Sequence, residues 1–334
     1  MSKPSRTTLS LNVLPAARLR VEHGANLGDA LSVADDLIPD DTYGLSDGPM
    51  LSLSLIPDGA GQFRIAQDSA TGTPGAALVL DSCLMMMSPD GRTSELLVLV
   101  ELDEGHIGAI YALPLAGLAS KTDYLLVGIE RDAIAARLAQ VACVSFSRGT
   151  HITLATGEQR RVEDLRVGDR ILTRDDGPQE LRWIGQSTIR AEGDLAPVRI
   201  AAGTLHNTGA LVVSPDHRLF IYQRSDQLGA GRAEVLVRAR HLVNGDSVRR
   251  QEGGFVDYFQ LLFDRHQIIF AEGIATETLL LDDTTSPALP DDLAARLLDA
   301  GQHHDGRDHQ DLEVGEAITS RADVVSLLRR ATTG

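Results

Sequence analysis

The sequence predicts an all-β protein. A β-rich N-terminal domain spans residues 1–142, a denser β domain spans 143–282, and a linker with a short helical tail occupies 283–334. Three observations carry this. Apolar and polar residues alternate with period two in the first region. Turn signals built on Gly, Asp, Asn and Pro interrupt both large regions at short intervals. Helix-period segments are confined to the end of the first region and to the tail.

In the first region, Leu51-Ser52-Leu53-Ser54-Leu55-Ile56 has the alternation of a half-buried strand, and Pro57-Asp58-Gly59 is expected to end it. Ala77 to Leu80, Ser94 to Leu102 and Tyr124 to Ile129 read as further strands, with Pro89-Asp90-Gly91 as a turn between two of them. From Arg131 to Val141 the apolar residues Ile134, Ala135, Leu138 and Val141 fall at helical spacing. Cys83 and Met85-Met86-Met87 lie in an apolar segment and are read as core, not as redox or metal groups.

The second region is punctuated at Thr156-Gly157, Gly168-Asp169, Asp175-Asp176-Gly177 and Asn244-Gly245-Asp246. Between these lie short β-type runs: Arg170 to Thr173, Leu181 to Ile184, Leu211 to Val213 and Gln267 to Phe270. In the third region, Thr284 to Pro290 reads as a linker and Asp291-Asp292-Leu293 opens a short helix. Ser320 with Asp323 caps a last helix that ends in Arg329 and Arg330.

Composition narrows the function. At 334 residues the chain holds about two domains, and its formal charge of −16 repels phosphate backbones and anionic membranes. Aromatic residues are only 4%, too few for stacking platforms on sugars or bases. The two cysteines, Cys83 and Cys143, form neither a disulfide framework nor a zinc spacing. The apolar stretch from Leu9 to Ala17 is broken by Asn12 and Pro15, so no signal peptide is read. No run is long enough for a membrane span. The expected location is cytoplasmic by default, with export by a leaderless route left open. The run from His303 to His309 has ligand types without ligand geometry. It reads as solvated loop, and a tail-metal hydrolase is the reading it alone would support. No phosphate loop or nucleophile elbow is present, and neither metal nor cofactor is expected.

One ordered set of motifs carries chemistry. Ser145-Phe146-Ser147-Arg148-Gly149-Thr150-His151-Ile152-Thr153 resembles the opening block of bacterial Hedgehog/intein-type (Hint) domains, normally Cys-Phe-x-x-Gly-Thr-x-Ile. There follow Thr156-Gly157, Val162-Glu163-Asp164-Leu165, Val167-Gly168-Asp169-Arg170-Ile171-Leu172-Thr173 and Trp183-Ile184-Gly185. Pro197-Val198-Arg199-Ile200 and Val213-Ser214-Pro215-Asp216-His217-Arg218-Leu219 complete the series. The resemblance implies a fold that cuts its own backbone. A hydroxyl or thiol following a peptide carbonyl attacks it and shifts the chain from amide to ester or thioester. The protein must strain the scissile bond, hold the amide in place and protonate the departing nitrogen. By position in the Ser-x-x-His block, Ser214 orients the scissile peptide and His217 protonates its nitrogen.

Counted back from Gly149-Thr150, the family's cysteine position holds Ser145, with Cys143 two residues early. Two readings follow: an oxygen-ester nucleophile attacking the carbonyl of Val144, with the chain's own N-terminal segment as substrate, or a degenerate scaffold kept for binding. Asp264 and His266 occupy the place of a second acid–base pair or of a buried structural pair. Where splicing inteins end in His-Asn, this chain has Thr276 and Glu277. A glutamate does not cyclise as the terminal asparagine does, so no splicing is expected.

Overall fold

The alternating run becomes a strand: Leu53 and Leu55 are fully buried, Ser54 between them is buried as well, and Ser52 and Ile56 sit under partial cover. A computed structural model describes residues 9–59, 62–132, 134–226, 228–281, 285, 289, 312–314 and 324–333. The chain divides into two compact units with the main boundary between Ala142 and Cys143.

The first unit holds β1 (Leu9–Pro15), β2 (Leu19–His23), β3 (Thr42–Leu45), β4 (Leu51–Gly59) and β5 (Gln62–Ile65). It continues through β6 (Ala77–Met87), β7 (Thr93–Asp103), β8 (His106–Pro114), β9 (Asp123–Glu130) and the helix α1 (Ile134–Ala142). Hydrogen-bonded neighbours run β6-β5-β4-β1-β8-β7, and β7 pairs back to β6, so six strands close a barrel. β6 can serve both the barrel and an extension of it because it is eleven residues long. Its start pairs with β5 through Ala77 and Leu78, and its end pairs with β9 from Cys83 to Met87. Bulges between Leu80 and Ser82 and between Met85 and Met86 supply the bend. The methionine run is thus strand: Met86 faces the core, and Met85 and Met87 are half-buried. Pro57 also departs from expectation, for β4 absorbs it at a bulge and continues to Gly59.

The second unit is β as well, with fourteen strands among the described residues. They are β10 (Phe146–Ser147), β11 (His151–Thr153), β12 (Gln159–Arg161), β13 (Arg170–Leu172), β14 (Pro178–Glu180), β15 (Trp183–Arg190) and β16 (Val198–Ile200). Then come β17 (Leu211–Val213), β18 (Arg218–Tyr222), β19 (Glu234–Arg238), β20 (Val248–Arg250), β21 (Phe255–Leu262), β22 (Ile268–Ala271) and β23 (Ile274–Glu277). Two six-stranded sheets, ordered β15-β21-β10-β17-β16-β20 and β12-β11-β22-β23-β18-β19, share one hydrophobic core, with the β13–β14 hairpin beside them. Several sequence blocks prove to be turns with a physical requirement. Gly149 has φ 88°, and its N–H is received by the Glu163 carboxylate at 2.8 Å. Asp169 accepts the Arg166 N–H at 2.8 Å and holds Arg160 at 3.1 Å.

The described tail residues pack with this unit. In α2 (Val324–Thr333), Val324, Val325, Leu327 and Leu328 recur at helical spacing and are buried in the core with Val314. The helix expected from Asp291, the capping residue Ser320 and the run from His303 to His309 lie outside the described residues.

Candidate active site

Strand register delivers the site. β10 is two residues long and lies between β17 and β21, with Phe146 opposite Val213 on one side and Phe259 on the other. One step back along β10 therefore sets Ser145 between Ser214 and Gln260. Both contacts are made. Ser145 donates its N–H to Ser214 Oγ at 3.0 Å, and Gln260 Nε2 donates to Ser145 Oγ at 2.9 Å. Ser214 N–H returns a bond to the Ser145 carbonyl at 2.9 Å. The hydroxyls of Ser145 and Ser214 point at the Cys143 carbonyl, at 3.4 and 3.5 Å. All of these side chains are buried.

His217 enters from the turn between β17 and β18. Pro215 and Asp216 carry the chain round, His217 N–H bonds the Ser214 carbonyl at 3.0 Å, and the ring stands edge-on to Phe146 with centroids 4.5 Å apart. The ring is 0% exposed. Its Nδ1 lies 3.1 Å from the Ser145 carbonyl oxygen, which only accepts, so the imidazole carries its proton on Nδ1. Burial pushes His217 down to about 4, against upward pulls from the Ser145 carbonyl and from Glu277. The imidazole is therefore neutral at pH 7. The nitrogen after Val144 is held by Ser214, while His217 sits one peptide further along.

The structure thus gathers Ser145, Ser214 and His217, and Cys143 takes part through its carbonyl. Asp264 and His266 go to different partners. The Arg182 guanidinium grips Asp264 at 2.8 and 3.0 Å at a half-exposed position. His266 is buried with Nε2 4.0 Å from Glu277 Oε1. Neither has a hydrogen bond to Ser145 among those of the described residues. Thr276 and Glu277 are fully buried on β23. Among the described residues no group of three His, Cys, Asp or Glu side chains could hold a metal ion.

Sequence reasoning passed over Gln260 and took Gly185 only as a motif member. Gln260 is a buried amide within the apolar run Tyr258-Phe259-Gln260-Leu261-Leu262, and that mismatch was the available signal. Gly185 faces Gln260 across β15 and β21, and a Cβ there would lie 2.6 Å from Gln260 Oε1 and 2.2 Å from the Trp183 ring. Its bareness leaves the space in which Gln260 reaches Ser145.

An all-β fold with Ser145, Ser214 and His217 gathered in its interior is what this register defines. A Hint-domain family model matches residues 144–283, and over that span the chain carries a Hint domain. Among solved structures it is similar to the gp41-1 intein and to a triple variant of that intein. Each is 11% identical, covers 40% of this chain and 97% or 98% of its own, and has a TM-score of 0.25. Among curated proteins none matches.

Proposed function

We propose that the Hint domain cleaves the chain between Val144 and Ser145 by an N-to-O acyl shift. The observation that carries the reading is the buried Ser145 held at its nitrogen by Ser214 Oγ (3.0 Å) and at its hydroxyl by Gln260 Nε2 (2.9 Å). Ser145 Oγ attacks the Val144 carbonyl carbon. The Val144–Ser145 C–N bond breaks, the nitrogen takes a proton from His217, the imidazole takes up the one that the hydroxyl loses, and an ester joins Val144 to Ser145 Oγ. Water then hydrolyses the ester, giving a Val144 carboxylate and a free Ser145 amine and hydroxyl. Ser214 orients the scissile peptide, and the Gln260 N–H stabilises negative charge as it develops on Oγ. His217 supplies the nitrogen's proton once its Nδ1–H leaves the Ser145 carbonyl, the move that a neutral, buried imidazole must make first. No splicing follows, because Glu277 stands where an asparagine would have to cyclise.

Intact mass of freshly purified protein, followed with and without hydroxylamine, tests this. Fragments of 144 and 190 residues are expected from the 334-residue chain, formed faster with hydroxylamine and little affected by mild thiols. His217→Ala should slow the cut by about a hundredfold or more. A chain that stays full-length for days with hydroxylamine across the neutral range would leave a scaffold kept for binding in place of a processor.

A further inference from the structure

The two residues flanking His217 both reach into one buried charge network, and the residue that completes it lies beyond the family-matched span. Arg218 on β18 stands directly opposite Arg238 on β19. Both guanidiniums are nearly buried, at 5% and 8% side-chain exposure, so two positive charges share one cross-strand position. Arg218 Nη1 pairs with Glu277 at 3.3 Å, and Arg238 Nη1 pairs with Asp216 at 3.0 Å. Arg240 also holds Asp216, at 3.2 Å. Among these described residues that sets three guanidiniums against two carboxylates. Glu313 supplies the third: Arg218 Nε donates to one of its oxygens at 2.9 Å and Arg238 Nε to the other at 2.6 Å. Its segment is fixed as a strand would be, with Glu313 bridged in parallel to Leu236 and Val314 N–H on the Leu236 carbonyl at 3.0 Å.

We infer that Glu313, from the C-terminal segment, is a positioning residue for His217, acting through Arg218 and Arg238. The route is short and made of backbone as well as charge. Asp216 and Arg218 are the chain neighbours of His217. The turn that carries the ring is tied to the end of β19 by Ala239 N–H on the His217 carbonyl and Arg240 N–H on the Pro215 carbonyl, both at 2.9 Å. Without the third carboxylate, two facing guanidiniums lose their shared partner and repel, and both strands that anchor the His217 turn must adjust. The consequence for cleavage rests on the proposed acyl shift; the consequence for the ring does not.

The test therefore reads the ring itself. In the uncleavable Ser145→Ala chain, labelled with 15N in its histidine rings, Glu313→Gln should shift the His217 ring signals, while Leu328→Ala, which loosens α2 without touching the charges, should leave them in place. Should Glu313→Gln not fold, Glu313→Asp replaces it, keeping the charge at shorter reach, and the same shift is expected. His217 signals unmoved by the Glu313 variant that folds, or moved as far by Leu328→Ala, would overturn the inference. In the cleaving chain Glu313→Gln should slow the cut about tenfold or more, the scale of a displaced catalytic group. In a His217→Ala background it should slow it no further. Equal slowing in both backgrounds marks Glu313 as structural only. A chain that never cuts removes the acyl-shift reading and leaves the ring measurement to decide.

Discussion

The two units are both β and are built on opposite principles of burial. Among the described residues the first unit buries four polar or charged side chains: Asp41, Ser54, Ser82 and Glu101. Each belongs to local architecture. Glu101, for example, receives the Tyr111 hydroxyl at 2.7 Å and the Thr73 N–H at 3.0 Å, tying a loop to the barrel. The second unit buries twenty such residues, among them two histidines, two arginines and two glutamates. Each buried polar group costs free energy unless it is paired. Part of the excess gathers at two centres, the Ser145 cluster and the Arg218–Arg238 network. One β unit is thus closed by its hydrogen-bonded ring, and the other holds buried polar clusters that its strands keep in register.

The sharpest way to break this contrast is to remove the hydroxyl. Ser145→Ala should abolish cleavage altogether, while Cys143→Ala should leave it, because Cys143 meets the site through a carbonyl that alanine also has. Peptide mass mapping of the new N-terminus reads both. A cut that needs Cys143 would mean that the nucleophile lies two residues earlier.

The next effect belongs to the barrel. Leu84 is fully buried in the first unit's core, and Leu84→Ala should destabilise that unit by about 2–5 kcal/mol. The cleavage rate of the folded variant should match the parent. Urea unfolding paired with timed intact mass makes the comparison, and a large fall in rate would show that the units do not divide the labour as their burial suggests.

Acid acts on the second unit through His217. Its folded value is pushed down to about 4 from an ordinary 6.5, so between these values the unfolded chain binds a proton that the folded chain refuses. Stability is then flat above about pH 6.5 and falls as pH drops toward 4, by about 3 kcal/mol in all for this group. Urea unfolding of the parent and of His217→Gln at pH 7 and pH 4.5 isolates it. An acid slope as steep in the variant as in the parent would assign the loss to other groups.

Much of this was legible in the sequence, unevenly and for physical reasons. Period-two runs and glycine turns gave the strands, because alternation is local and a residue such as Gly149 with φ 88° must be small. Ser145, Ser214 and His217 were legible as motif members, and the structure brings them together. Barrel closure was not, since the pairing of β6 with β7, β5 and β9 at once depends on bulges that no local pattern announces. Nor were the partners of Asp264 and His266, which are set by Arg182 and Glu277 from distant strands. Gln260 stands 115 positions from the serine it touches, and Glu313 lies 95 from Arg218; only register brings such pairs together.

The smallest expected effect is the most specific to that register. Gln260→Leu removes the N–H on Ser145 Oγ while keeping the side chain's bulk, so cleavage should slow about tenfold, the scale of one ordinary hydrogen bond, with stability little changed. Gly185→Ala should reproduce the loss without touching either residue. A Cβ at 185 would fall 2.6 Å from Gln260 Oε1 and 2.2 Å from the Trp183 ring, closer than real side chains approach, so the amide or the ring must move. If the amide moves, Gly185→Ala and Gln260→Leu slow the cut alike, and the double variant is no slower than either single one. If the ring moves, the Trp183 fluorescence of Gly185→Ala changes while its cleavage rate stays at the parent's, and the role of Gln260 then rests on its own substitution. Trp183 is the chain's one tryptophan, so its emission reports that movement without a label, and the two measurements together show which neighbour gives way.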